Sequence, residues 1–101
     1  MKNTIKFAKK TLFNNRRSKY TLPTNTKLYP AQWNWDSAFI ALGYSNFNLD
    51  YSFKELETLI SGQWDDGMIP HILFHIKDLN YTPNYKAWNC GKKVSSSGIT
   101  Q

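Results

Sequence analysis

Tyr29-Pro-Ala-Gln-Trp-Asn-Trp-Asp-Ser-Ala-Phe39 is the stretch on which the reading of this chain turns. It places one carboxylate, Asp36, among two tryptophans and a tyrosine, and an apolar run, Ala38-Phe-Ile-Ala-Leu42, follows at once. Asp36 and Ser37 are good N-cap types, so the sequence predicts a helix from Asp36 to Tyr44, with Gly43 near its stop. Trp33 and Trp35 then fall on the approach loop, at the positive end of the helix dipole. Aromatic planes beside an anionic acceptor suit a sugar, because rings cover its C–H face while a carboxylate accepts from its hydroxyls. The spacing is equally compatible with two core tryptophans and an Asp36 that only caps.

Working outward, residues 2–14 read as a helix with Ile5, Ala8 and Leu12 on one face and Lys2, Lys6, Lys9 and Lys10 over most of the rest. Asn14 to Ser18 ends it, and Tyr20 to Tyr29, with Pro23, reads as an extended loop. The predicted second helix is apolar almost all round and is expected to be deeply buried. A third helix begins near Asp50, with Phe53, Leu56, Leu59 and Ile60 as its inner face and Lys54, Glu55 and Glu57 outward. Gly62 is placed to end it in a left-handed conformation. Beyond it, Gln63-Trp-Asp-Asp-Gly-Met-Ile-Pro-His71 contains a tight turn at Asp66-Gly67. Ile72-Leu-Phe74 is a short apolar run, and 77–93 has no clear period, as a functional loop would not. The expected class is all-α, with more apolar helix surface than three helices can bury mutually.

Composition narrows the function. Of 101 residues 41% are hydrophobic and 20% charged, which places the chain with globular proteins. The net charge of +6 is unevenly spread: residues 1–20 carry seven basic groups and no acid, the remainder six basic and seven acidic. The surplus therefore sits on an N-terminal arm, and the body offers no face that tracks phosphates. A basic arm free of acids also fits a mitochondrial presequence, or a solvated helix face. No apolar run approaches the roughly 18–20 residues needed to span a bilayer. Cys90 is the single cysteine, so no internal disulfide forms, and a cytoplasmic location is expected.

Among chemical groups, Asp65 and Asp66 are read as turn residues. His71 and His75 lie four apart, but no third ligand completes a zinc spacing, so no metal and no cofactor is expected. Cys90 has no base at a spacing that would make it a nucleophile.

The two motifs, Tyr29 to Phe39 and Gly62 to His71, occur together with Tyr20-Thr-Leu-Pro23 and a final Ser97-Gly-Ile-Thr-Gln101. In this order they resemble the opening of the mannosylglycerate hydrolase-like glycosidases, relatives of glycoside hydrolase family sixty-three. The resemblance runs from about Ala8 to Gln101. It implies an (α/α)6 barrel, here a partial one of about three helices, and inverting hydrolysis of an α-glycosidic bond by a carboxylic acid and a carboxylate base. It implies a substrate-binding role for Tyr29, Trp33, Trp35, Asp36, His71, Tyr81 and Gln101. The family's general acid and base lie further along and have no counterpart in these residues, so the chain is expected to be an inactive N-terminal fragment. Its expected partners are a small saccharide or glycoside and the C-terminal part of the same enzyme, with no nucleic acid and no membrane. A carbohydrate-binding or adaptor module without chemistry is the alternative that the aromatic cluster also fits.

Overall fold

The computed structural model describes residues 1–24 and 28–76. Helix α1 (Lys2–Asn15) is followed by strand β1 (Gln32–Trp33), helices α2 (Asn34–Ser45) and α3 (Leu49–Ile60), and strand β2 (Ile72–Leu73). None of these helices is long and apolar enough to cross a membrane.

Helix α1 fits the expected span and face. It buries no residue fully, and its apolar side, through Ile5, Ala8 and Leu12, borders a recess shared with Gly43 and Phe47 of the α2 end. Arg16 leaves the helix in extended backbone. The chain then doubles back tightly, with Arg17 N–H donating to the Tyr20 carbonyl (2.7 Å) and Leu22 N–H to that of Asn15 (2.9 Å). The segment that reads as an open loop is thus core at its start, since Tyr20, Thr21 and Leu22 are all buried. Tyr44 ties this corner together. Fully buried, it donates from its hydroxyl to the Leu12 carbonyl at 3.0 Å, and its ring meets Phe13, Phe47 and Tyr51 at 5.5–6.1 Å between centroids. The Arg16 guanidinium covers Tyr51 at 3.6 Å, a cation–π contact that closes the cluster.

Two expectations about α2 and α3 are corrected. Helix α2 begins at Asn34, with Trp33 as its cap residue, so Asp36 and Ser37 lie inside the first turn rather than at the cap. Helix α3 is capped by Asn48, whose side chain accepts from Tyr51 N–H at 3.1 Å, and Asp50 lies in its first turn. The expected faces hold only in part: Leu59 is buried and Lys54 and Glu57 face outward as expected, while Phe53 and Ile60 are exposed, Glu55 is buried, and α2 is not buried all round. The residues that α2 buries are Ser37, Ala41 and Tyr44, and those that α3 buries are Ser52, Glu55, Thr58 and Leu59. Phe39, Leu42, Phe53 and Ile60 are all more than half exposed. Small and hydrogen-bonding side chains let the two helices approach closely, and Ser52 Oγ donates to the Ala41 carbonyl across the seam at 2.7 Å. Glu55, expected outward, is the innermost charged residue of α3, at 0% exposure. A charge on that face is tolerated because polar partners from α2 and β1 meet it there.

After α3 the expected tight turn is present. Gly67 has φ 96°, Met68 N–H donates to Asp66 Oδ1 (3.0 Å), and Trp64 N–H to the Met68 carbonyl (2.9 Å). Gly62 serves close approach instead of a left-handed cap: a Cβ there would lie 2.7 Å from Leu73 Cδ1 and 3.2 Å from Pro70 Cγ. The turn delivers β2 antiparallel to β1, pairing Gln32 with Leu73 and Trp33 with Ile72. Ala31, Ile72 and Phe74 form a compact core beneath this pair, with Trp33 packed against it.

Candidate functional site

The short strand pair joins the two motifs. Asn34 N–H donates to the His71 carbonyl at 2.9 Å, and Asn34 Nδ2 to the Pro70 carbonyl at 3.3 Å. The first motif's strand-to-helix junction is therefore held against the end of the second. No signal of period two marks these two-residue strands in the sequence. Asn34, between the tryptophans, acts as the cross-link.

Above the junction lies a concavity of about 390 Å³ bordered by Tyr29, Trp33, Asp36, Pro23 and Thr24. The Tyr29 and Trp33 rings meet edge to face, 5.6 Å apart at 82°, so one presents its face where the other presents its edge. Asp36, in the first turn of α2, supplies the carboxylate. Partial burial raises its pKa, opposed by a hydrogen bond from its own backbone N–H and by the nearby His71.

The remaining expected site residues are placed differently. Trp35 does not border this concavity. It is 59% exposed and packs at 5.4 Å against Phe39, one helical turn on. Tyr81 and Gln101 lie outside the described residues, as does Cys90. His71 and His75 flank β2 rather than sharing a helix face, and among the described residues no cluster of three or more His, Cys, Asp or Glu side chains is arranged to hold a metal ion. Pro23, quoted in the sequence only as a loop and motif residue, and Thr24 were not among the expected site residues, having no chemistry of their own that would mark them as such.

Beneath the concavity runs a polar network that the sequence reading missed. Glu55 Oε1 accepts from Ser37 Oγ at 2.7 Å and from Gln32 Nε2 at 3.3 Å. Gln32 Nε2 also donates to the Glu55 carbonyl at 3.0 Å, and Gln32 Oε1 meets His75 Nε2 at 2.8 Å. Burial raises the Glu55 pKa, while hydrogen bonding by Ser37 and Thr21 and the charge of Arg16 favour the ionised form. Glu55 lies four before Leu59, on the same side of α3, but helical spacing alone does not turn a charged side chain inward.

Helix pairs whose connecting segments carry rings and a carboxylate to one concavity are the build of (α/α)6 carbohydrate-active folds. The structure matches that of the family sixty-three mannosylglycerate hydrolase from Thermus thermophilus in complex with Tris and D-glycerate, with TM-score 0.81 and 44% identity over 93% of this chain and 22% of the other. It also matches the glucose complex of that enzyme, with TM-score 0.72 and 41% identity over 95% of this chain and 24% of the other. Mannosylglycerate hydrolase MGH2 of Selaginella moellendorffii is 42% identical over 98 residues, 96% of this chain and 20% of the relative. Residues 29–101 match the model of the mannosylglycerate hydrolase MGH1-like glycoside hydrolase domain, and the chain belongs to that family. It spans about a fifth of the length of these relatives.

Proposed function

We propose that this chain is the first part of an (α/α)6 glycoside hydrolase domain and supplies one wall of its sugar pocket, for a substrate in which a hexose is α-linked to glycerate. The observation that carries this reading is the convergence of Tyr29, Trp33 and Asp36 on one concavity, in a chain whose relatives bind glucose and D-glycerate. The rings cover the apolar face of the hexose, and Asp36 accepts hydrogen bonds from its hydroxyls. His71, Tyr81 and Gln101 are assigned to the same substrate-binding set; Trp35, which packs on Phe39 away from this concavity, is not. Inverting hydrolysis needs a general acid and a general base roughly 6.5–9.5 Å apart across the bond. Neither is supplied by these residues; Asp36 binds.

The rest of the catalytic domain is the macromolecular partner. The outward rings and aliphatic chains of α2 and α3 are the faces on which further helices of the barrel pack.

The direct test is titration of the chain with D-glucose and mannosylglycerate, followed by tryptophan fluorescence, for wild type and Asp36→Asn. Loss of a charge-assisted hydrogen bond, about 1.5–3 kcal/mol, corresponds to at least a tenfold weaker complex. Equal affinity for the two proteins would overturn the assignment of Asp36. In parallel, the isolated chain is expected to show no turnover of mannosylglycerate or of α-glucosides. Hydrolysis that Asp36→Asn abolishes would make Asp36 catalytic and this reading wrong.

A further inference from the structure

Glu55 stands two side chains away from the sugar wall, yet it grips both ends of the segment that forms it. Gln32 immediately precedes Trp33, and Ser37 immediately follows Asp36. Both donate to the same carboxylate oxygen, at 3.3 and 2.7 Å. Gln32 is held a second time by the Glu55 carbonyl and a third time by His75. One fully buried group on α3 therefore pins positions 32 and 37, between which the chain must turn from strand to helix.

An ordinary helix–helix contact does not need such a group. A buried carboxylate is costly to desolvate, and an apolar side chain of similar volume often packs as well or better. What the apolar side chain lacks is an acceptor that a hydroxyl from one element and an amide from another can share. We propose that Glu55 is a positioning residue: its carboxylate fixes the 32–37 junction so that Trp33 meets Tyr29 edge-on and Asp36 faces the same concavity. This inference rests on the sugar-wall reading for its purpose but not for its geometry.

The test compares wild type, Glu55→Gln, Glu55→Leu and Thr58→Ala. Gln keeps a side-chain acceptor; Leu keeps volume and removes it. Thr58→Ala is a destabilised control on the same helix, losing the hydrogen bond to the Lys19 carbonyl and a buried methyl group without touching Glu55. Each folded protein is read twice, by the nuclear Overhauser effect between the Tyr29 and Trp33 rings and by affinity for D-glucose. The effect is expected in wild type, Glu55→Gln and Thr58→Ala and is expected to vanish in Glu55→Leu. Glucose affinity should stay within about threefold of wild type in Glu55→Gln and Thr58→Ala and fall at least tenfold in Glu55→Leu. If Glu55→Leu does not fold, the same readings are made on Ser37→Ala, where the ring contact is expected to weaken. A ring contact retained after loss of the acceptor, or missing from wild type, overturns the proposal. Ring contacts that follow the variants while no protein binds sugar leave the positioning role standing and overturn the sugar wall instead.

Discussion

At the scale of single residues, the site is governed by how much water each ionisable group has lost. Burial raises the pKa of Glu55 and Asp36 and lowers that of His75 to about 4. His75 as a residue is exposed, but its ring, the part that titrates, stacks 3.8 Å from Tyr20 at 16° and binds Gln32 Oε1. The ring is therefore expected to stay neutral to well below its ordinary pKa near 6.5. Between about pH 6.5 and 4 the unfolded chain then binds more protons than the folded one, so His75 removes stability as the pH falls through that window. Glu55 and Asp36 act in the opposite sense, because their raised values make the folded state the better proton binder as the pH falls. A proton NMR titration of the His75 ring should give a midpoint near 4, and the difference in melting temperature between wild type and His75→Gln should shrink from pH 7 to pH 4.5. A midpoint near 6.5 would show that the ring is not desolvated. The grouping of Tyr29, Trp33 and Asp36 at one concavity was legible in the sequence because all three stand in one short motif, although Trp35, the tryptophan next to Asp36, does not join it. The role of Glu55 was not. A glutamate between Lys54 and Leu56 reads as surface, and only the arrival of Ser37 and Gln32 from distant positions makes an inward direction tolerable.

At the scale of elements, the helices were legible and their orientation was not. Periodicity locates α1, α2 and α3 to within two residues at each end, yet it turns Phe53 and Ile60 inward and expects α2 to be buried nearly all round. The seam is built instead from Ser37, Ala41, Ser52 and Glu55. A hydrophobic face identifies a surface that packs against something, and cannot say which neighbour when more than one layer is available. The strand pair escapes notice because two residues are too few for alternation to register. Gly62 stands out in the sequence for a conformational reason and matters for a steric one. A methyl group there would press on Leu73 and Pro70, and Leu73 pairs directly with Gln32. Gly62→Ala is expected to cost about 1–3 kcal/mol through overpacking, read as a lower denaturation midpoint with unchanged slope. Because the pressure falls on β2, amide exchange at the β1–β2 pair should accelerate more than exchange in α1. An unaltered midpoint would mean that Leu73 turns aside freely.

At the scale of the whole molecule, the outward face decides what the chain can be. Trp35, Phe39 and Leu42 on α2 and Leu49, Phe53 and Ile60 on α3 are each 51–63% exposed, far more than a soluble surface ordinarily gathers on two adjacent helices. Relatives that match over nearly all of this chain are about five times as long. On the reading proposed above, further helices of the same barrel cover this face and bring the acid and base. The isolated chain is accordingly expected to bind a hydrophobic dye through this face. Co-expression with a Thermus thermophilus mannosylglycerate hydrolase lacking the fifth that matches this chain should restore hydrolysis that neither piece shows alone. Phe39→Asp or Phe53→Asp should abolish that restoration while leaving the helical signal of the isolated chain intact, since neither residue packs in the α2–α3 seam. Asp36→Asn should allow assembly but weaken substrate binding, which separates the docking face from the sugar wall. A chain that binds no dye and tolerates both phenylalanine substitutions would instead be a self-sufficient carbohydrate-binding module, with those side chains facing water by design.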